Sequence, residues 1–223
     1  MSANRCRVLL VPLLCLLGVA STRGQERVPL PISLPKPAFS GTPAFLVSAN
    51  LEKTTGKLRG PFLVPAGTVN LAAARPVTGS QPKPVLGSYA DVTDGNKEAA
   101  GDSFVELGPG VQWVQIDLGA PCRIDAILVW HYHGEARVYR DVVIQLADDA
   151  DLVSGLRTVF NNDHDNSAGL GVGNDREYIE TYEGRLIPVA AQPARYVRLS
   201  SQGNTRDDMN DVTEVEVYGT RLP

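Results

Sequence analysis

The 223-residue chain is poor in cysteine, in aromatic residues and in positive charge. Two of its three cysteines lie within the first 24 residues, so a chain without them would retain Cys122 alone and form no internal disulfide. Cys122 opens an apolar segment, which favours a buried, unreactive thiol over a nucleophile. Residues 25–223 carry 18 basic and 25 acidic side chains. This acidic balance argues against nucleic acid as a partner.

Long apolar runs and helical periodicity are also missing. After residue 24 no apolar run is long enough to span a bilayer, and almost no segment repeats its apolar residues every 3.6 positions. No Ser-His-Asp, Cys-His or paired-carboxylate arrangement occurs at a recognisable spacing, so the sequence predicts a protein that is not an enzyme.

The first 24 residues have the features of a secretory signal. Arg5 and Arg7 precede an apolar run over 8–20, which small residues follow. An uncleaved anchor is the alternative, but the run is too short to cross the ~30 Å hydrocarbon core comfortably. We expect a secreted, periplasmic or cell-envelope protein, cleaved after Ala20 or Gly24 and not inserted in the membrane afterwards.

Residues 25–68 are predicted to form a proline-rich arm. Proline lacks the amide donor that helices and central strands require, so the arm either crosses the domain as extended segments or serves as a flexible spacer. Its prolines are Pro29, Pro31, Pro35, Pro37, Pro43, Pro61 and Pro65.

Strand patterns dominate from Val69 onward. In the stretch 113–119, Val114, Ile116 and Leu118 alternate with polar residues, as in a half-buried strand. The apolar run 126–130 is typical of a strand covered on both faces. Many short strands between Gly, Asn and Asp turns predict an all-β antiparallel sandwich or jelly roll. The predicted strands cover 70–76, 111–118, 123–131, 138–146, 157–160, 178–181, 185–188, 195–200 and 212–218, with a further short strand starting at Ser88.

Six motifs follow one another in a characteristic order. They are Asn70-Leu-Ala with Pro76-Val-Thr, Asp94-Gly-Asn, Trp113-Val-Gln-Ile-Asp-Leu-Gly, Ile124-Asp-x-Ile-x-Val-Trp, Ala194-Arg-Tyr-Val-Arg-Leu and Glu214-Val-Glu-Val-Tyr-Gly. Together they resemble discoidin domains of the coagulation-factor C-domain type, within the galactose-binding-like superfamily that includes family 32 carbohydrate-binding modules. The likeness covers about residues 69–220, and 131–166 is also similar to exported bacterial discoidin proteins.

The resemblance implies an eight-stranded β-sandwich jelly roll that binds ligand through loops at one end, often with a structural calcium near that end. The sequence lacks the disulfide that joins the domain ends in the factor-type members. It also lacks obvious aromatic and leucine spikes of membrane-binding members, which argues against phosphatidylserine as the ligand.

The Asp-Gly-Asn motif is the predicted calcium site. Asp94 offers a carboxylate at a turn that Gly95 permits, and the carbonyls of Val92 and Asn96 add oxygen ligands of the kind that Ca²⁺ prefers. In the family the first Glu of the last motif often completes the site, so the resemblance adds Glu214. A plain turn with an Asx hydrogen bond is the alternative.

The three histidines of the chain are His131, His133 and His164. His131 and His133 are two residues apart at a strand end and are expected on one face. Because carbohydrate-binding relatives often carry a sugar-binding His and Arg in this region, the resemblance favours a polar binding rim of His131, His133 and Arg137. A metal-dependent enzyme that adds Glu135 and His164 is one alternative. Structural histidines capped by neighbouring acids are another.

Two polar loops supply the remaining candidates. The run 161–167 offers carboxylate and amide oxygens that suit calcium or sugar hydroxyls. Before the last strand, Arg206 and Asn210 are predicted ligand contacts. In both loops, a solvated turn that satisfies its own backbone is the alternative.

The sequence thus predicts an exported, non-catalytic binding module for carbohydrate or another extracellular polar ligand, with Ca²⁺ as a candidate structural ion. A glycan or cell-envelope component is the expected partner, bound through a few loop residues. The alternatives are a metal-dependent enzyme built on the three histidines and an envelope protein whose arm docks a partner.

Overall fold

The computed structural model describes residues 25–39, 48–53, 56–101 and 103–222. The predicted signal and part of the predicted arm lie outside these residues. A 3-10 helix spans Tyr89–Thr93. The strands are β1 (Arg27–Pro29), β2 (Leu63–Pro65), β3 (Val69–Asn70), β4 (Val77–Gly79), β5 (Val105–Leu107), β6 (Gln112–His131), β7 (Val143–Ala147), β8 (Arg157–Asn161), β9 (Arg185–Ser201) and β10 (Asn210–Arg221).

Strands β3 to β10 make an eight-stranded antiparallel sheet that folds over into two layers. β6 and β9 are long enough to take part in both. In one layer the second half of β6 pairs with β10 and with the first half of β9. In the other, its first half pairs with β4 and with the second half of β9, which continues to β7 and β8. The prediction of an all-β antiparallel sandwich is confirmed.

The core between the layers contains the alternating apolar residues of the first half of β6. Val114, Ile116 and Leu118 are almost completely buried there. The run 126–130 is buried on both faces as predicted, because its alternate residues face the core and its other residues join a second apolar cluster with Leu30 and Val64 of the arm. Complete burial of an aliphatic side chain of this size stabilises the fold by ~1.5–3 kcal/mol.

The described part of the arm lies across the outer face of the sandwich. β1 pairs with β2, and Leu30 and Val64 pack against Leu128 and Trp130. Residues 48–53 also contact the domain, where Leu51 forms a bridge with Glu177. In these described segments the arm is extended and packed against the sandwich.

Several predicted strands are absent or shorter, because side chains cap the backbone locally. The strand predicted at Ser88 is the 3-10 helix, since the Ser88 hydroxyl accepts from the Ala90 amide (3.3 Å) and the Asp91 carboxylate accepts from the Ser88 amide (2.7 Å). After β3 the Asn70 side chain accepts from the Ala72 amide (3.0 Å) and ends the strand. The segments 138–142 and 178–181 are likewise not strands.

Cys122 lies inside the core, where burial raises the pKa of its thiol. The thiol is therefore protonated and inaccessible at neutral pH, as the sequence predicted. Among the described residues, no helix is long and apolar enough to cross a membrane.

Candidate functional site

The candidate residues gather at one end of the sandwich, which we call the loop end. Both ends of β6 lie at the loop end, because its first half belongs to one layer of the sandwich and its second half runs back through the other layer. β7 and β10 begin at the same end and β8 finishes there, as the strand register shows. The loops at 94–104, 132–142, 161–184 and 202–209 are thereby brought together.

His131 is a buried structural residue. Its imidazole is 0% exposed, lies 2.6 Å (Nδ1 to Oε1) from Glu180, and stacks on Tyr139 with 4.2 Å between ring centroids. Glu180 is itself 1% exposed. This arrangement matches the alternative of a structural histidine capped by an acid, and it corrects the prediction that His131 lies on an exposed rim.

His133 is also fully buried, and its Nε2 lies 2.9 Å from the Lys97 carbonyl oxygen. The described residues contain one cluster of three or more potential metal-ligating side chains, and it holds aspartates only. A metal site built from His131, His133 and His164 is therefore not formed. Glu135 bonds to Arg137 instead of completing such a site.

Arg137 is the predicted rim residue that the structure places near the surface. Its guanidinium donates to Asp211 (2.8 Å) and Glu135 (3.0 Å) and lies 4.6 Å from the centroid of the Tyr132 ring. These contacts hold the planar guanidinium in one orientation. Tyr132 in turn packs against Phe104 at 4.9 Å, and both rings are partly exposed.

Arg206 stands next to this group, with a side chain that is 67% exposed and an Nε that lies 4.0 Å from Glu135. We call the set the Arg137 rim; it comprises Phe104, Tyr132, Glu135, Arg137 and Arg206.

Asn210 is a structural residue rather than an exposed contact. It is 1% exposed. Its amide donates to the carbonyls of Gly108 (2.8 Å) and Gly110 (3.1 Å), and its oxygen accepts from Ser201 (2.8 Å) and Gly203 (2.8 Å). These bonds use its full donor and acceptor capacity, so it has none left for a ligand.

The Asp-Gly-Asn turn contacts the last strand through Glu214. Gly95 has a φ of +89°, and its amide donates to Glu214 Oε2 at 3.2 Å. The Asp94 carboxylate accepts from the Asn96 amide at 2.7 Å, which is the Asx bond of the alternative interpretation. Val92 is buried in the 3-10 helix just before the turn.

Glu214 is the unusual member of this group. It is fully buried, and its Oε1 has no hydrogen-bond partner among the described residues. Burial, reinforced by the nearby Glu216 carboxylate, raises the pKa of Glu214 to about 9. The neighbouring Lys97 ammonium is bonded to Glu216 at 2.7 Å.

A cleft of about 460 Å³ lies on another side of the loop end. Asp141, Asp163 and Asp165 place their carboxylate oxygens within 4.8 Å of one another beside it. Burial raises the pKa of Asp141, and repulsion from the two other aspartates adds to the increase. The hydrogen bond from Ser167 lowers this pKa but does not cancel the increase. We call this region the acidic cleft. The sequence indicated the polar run 161–167 but not the partnership with Asp141.

A larger cavity of about 680 Å³ lies between the arm and the segment 178–186. We call it the arm cavity. Tyr178, Glu180 and Arg185 line it from the sandwich, and Glu52 and Arg59 line it from the arm. Sequence reasoning missed these residues, because they come from separate parts of the chain and belong to no recognisable motif.

No protein-family model matches the chain, and no curated protein matches its sequence. Solved structures do match it in fold. Truncated AlyQ with CBM32 and alginate lyase domains superposes with a TM-score of 0.52 at 20% identity, over 70% of this chain and 34% of that one. A family 89 glycoside hydrolase from Clostridium perfringens gives a TM-score of 0.51 at 16% identity, over 69% and 15%.

The CBM32 of AlyQ alone, in complex with 4,5-unsaturated mannuronic acid, gives a TM-score of 0.48 at 22% identity, over 64% of this chain and 92% of that one. At these identities the two matches with TM-scores above 0.5 show the fold alone, a β-sandwich shared with part of a chain that carries a CBM32 domain.

Proposed function

We propose that the protein is an exported, non-catalytic carbohydrate-binding module whose glycan contacts lie on the Arg137 rim. The observation that carries the proposal is the fixed guanidinium of Arg137 beside two partly exposed aromatic rings. A sugar ring packs its C–H face on an aromatic side chain, and its hydroxyls bond to charged groups in fixed positions. Arg206 and Glu135 extend the charged edge of the rim into solvent.

Two further observations support this proposal: the fold, and the secretory features of residues 1–24. The solved structures of the same fold include the AlyQ chain with CBM32 and alginate lyase domains and the family 89 glycoside hydrolase, which was also solved with its substrate GlcNAc-α-1,4-galactose. The secretory features of residues 1–24 would bring the protein to extracellular glycans.

We propose Ca²⁺ as a structural ion at the Asp-Gly-Asn turn. Glu214 and Asp94 would hold it through carboxylates, and Val92 and Asn96 through carbonyls. The buried, unpartnered oxygen of Glu214 fits such an ion, because a carboxyl group in this position otherwise binds a proton. A bound Ca²⁺ would supply the positive charge that ionises Glu214 and would tie the turn to β10.

A glycan array followed by calorimetry on the selected glycans tests the binding function. Alginate fragments and GlcNAc-galactose disaccharides belong in the panel with neutral plant, algal and microbial glycans. We expect weak binding that Arg206→Ala reduces several-fold, since the exposed guanidinium contributes contacts without supporting the fold. Arg157→Ala, in β8 and paired with Asp148, is the matched control and should bind as the wild type does. Absence of binding across the panel would contradict the proposal.

A further inference from the structure

The arm cavity has two walls that are fixed to each other. On one side the Glu52 amide donates to the Glu177 carbonyl at 2.8 Å. On the other side the Arg59 guanidinium donates to the carbonyls of Glu183 (2.8 Å) and Gly184 (2.9 Å). The cavity of about 680 Å³ between these contacts has the size of a preformed small-molecule site.

The sandwich wall presents three polar groups with unused hydrogen-bonding capacity. The hydroxyl of Tyr178, the Oε2 of Glu180 and the Nε of Arg185 are buried, and none has a partner at full hydrogen-bond geometry within the described chain. The Tyr178 hydroxyl and the Glu180 carboxylate interact only weakly with each other. Tyr178 is 5% exposed and Glu180 is 1% exposed. Buried polar groups are nearly always bonded, so three such groups on one cavity wall indicate a partner from outside the chain.

The other atoms of these residues are held in place by the fold. Glu180 uses its first oxygen to bond His131, which fixes the orientation of its second. Arg185 donates through Nη1 to Glu52 at 2.7 Å, and its guanidinium stacks on the Tyr178 ring at 4.7 Å. Burial, together with the nearby Glu180 carboxylate, raises the pKa of Tyr178 well above its usual range, so the phenol remains a donor.

The mixture of donors and acceptor identifies the class of ligand. A sugar hydroxyl both donates and accepts, so neighbouring hydroxyls can donate to Glu180 and accept from Tyr178 and Arg185. The Arg185 guanidinium on this wall is already bonded to Glu52 at 2.7 Å. An anionic sugar would therefore bring its charge close to the Glu180 carboxylate with less compensation from Arg185, which is unfavourable in a buried site.

We propose that the arm cavity is a second sugar-binding site, specific for a neutral sugar residue and formed only where the arm closes over the sandwich. This inference rests on the proposed carbohydrate-binding function and adds a site that the sandwich and the arm form together. Tyr178, Glu180 and Arg185 would contact the sugar, and Glu52 and Arg59 would hold the arm wall in position.

Tyr178→Phe is the decisive variant, since it removes a hydroxyl whose interaction within the fold is limited to the nearby Glu180 carboxylate. The full chain is titrated by NMR with methyl glycosides of galactose, glucose, mannose and N-acetylglucosamine, and with glucuronate. We expect a neutral glycoside to bind more tightly than glucuronate, and Tyr178→Phe to weaken its binding roughly three- to tenfold, the effect of one lost hydrogen bond. The unfolding midpoint should stay equal or rise.

Two further variants complete the test. Arg185→Lys keeps the charge but removes the Nε donor, and it should weaken binding in the same way. Tyr196→Phe, in the second half of β9, is the matched control and should leave binding unchanged. A glycoside that binds Tyr178→Phe and Arg185→Lys as tightly as wild type, yet is lost in Arg206→Ala, would overturn the second site while leaving the Arg137 rim intact. Tighter binding of glucuronate would overturn the neutral specificity. No binding of any of these glycosides by the wild type would overturn the second site, whereas the carbohydrate-binding function itself is tested by the glycan array.

Discussion

The acidic cleft and the Asp-Gly-Asn turn both gather carboxylates at the loop end, but those carboxylates bond to different partners. In the cleft, the two oxygens of buried Asp163 accept from the amides of Ser167 and Ala168, each at 3.0 Å. The Asp141 carboxylate accepts from the Ser167 hydroxyl at 2.9 Å. At the turn, Glu214 accepts one amide bond from Gly95, and its second oxygen has no partner among the described residues.

This difference shows that the number of acids is a poor guide to a cation site. The aspartates of the cleft already stabilise the loop 161–171, because each satisfies backbone or hydroxyl donors. Glu214 has capacity that the fold does not use, and its pKa of about 9 reflects an unfavourable environment for its charge. We therefore expect the aspartates of the cleft to stabilise the fold whether or not an ion is present. At the turn, we expect Ca²⁺ to increase the free energy of unfolding.

The largest effect is expected from Asp163→Ala in the acidic cleft. The variant leaves the Ala168 amide without its acceptor and the Ser167 amide with Asp165 alone. We therefore expect a loss of about 2–3 kcal/mol in the free energy of unfolding. Urea titrations with calcium and with chelator should give the same loss. A loss seen only with calcium present would show that the cleft, too, holds the ion.

The second effect is a pH dependence that belongs to the turn. The pKa of Glu214 is raised in the folded chain, so its contribution to stability is present below the unfolded-state pKa, near 4.5, and is lost as pH rises toward about 9. In chelator, the free energy of unfolding of wild type should fall by about 2 kcal/mol, relative to Glu214→Gln, between about pH 5.5 and 7.

The comparison with Glu214→Gln isolates this group, because the amide resembles the protonated acid and cannot titrate. Parallel pH profiles for the two proteins would show that Glu214 is ionised in the folded chain without any cation.

Calcium should increase the free energy of unfolding, by somewhat less than the rise in pH lowers it. At ten times its Kd, an ion that binds only the folded chain stabilises it by about 1.4 kcal/mol. Because Ca²⁺ displaces the Glu214 proton, binding at pH 7 should release about one proton and should strengthen as pH rises. Calorimetry in buffers of different ionisation enthalpy measures this release. Glu214→Gln should abolish both the release and the stabilisation, whereas Asp165→Asn should retain them.

The sequence contained enough information for the sandwich. Strict alternation around Val114 and Ile116 and the continuous run 126–130 follow directly from which faces are buried, so they could be recognised locally. The pairing of the Asp-Gly-Asn turn with Glu214 was available only through the order of motifs, and the structure brings the two together.

The sequence could not predict which polar side chains are buried in the fold and which are exposed to a ligand. His131 and Asn210 have the residue types of a binding rim, but their neighbours Glu180 and Gly108 are 49 and 102 positions away in the chain. Whether such a residue faces a ligand or the core depends on these distant partners, which no local pattern encodes. The arm cavity escaped prediction for the same reason, since its two walls meet only after the arm packs on Leu128 and Trp130.

The smallest effect on stability is expected from Asp94→Asn, which separates the two interpretations of the turn. Asparagine keeps the oxygen that accepts from the Asn96 amide, so in chelator the free energy of unfolding should change by less than about 0.5 kcal/mol. With calcium, the variant should lose most of the stabilisation seen in wild type, because an amide oxygen is a weaker ligand than a carboxylate. Thermal unfolding of both proteins with chelator and with calcium measures both effects. If Asp94→Asn responds to calcium as fully as wild type, the Asp94 carboxylate serves the turn alone.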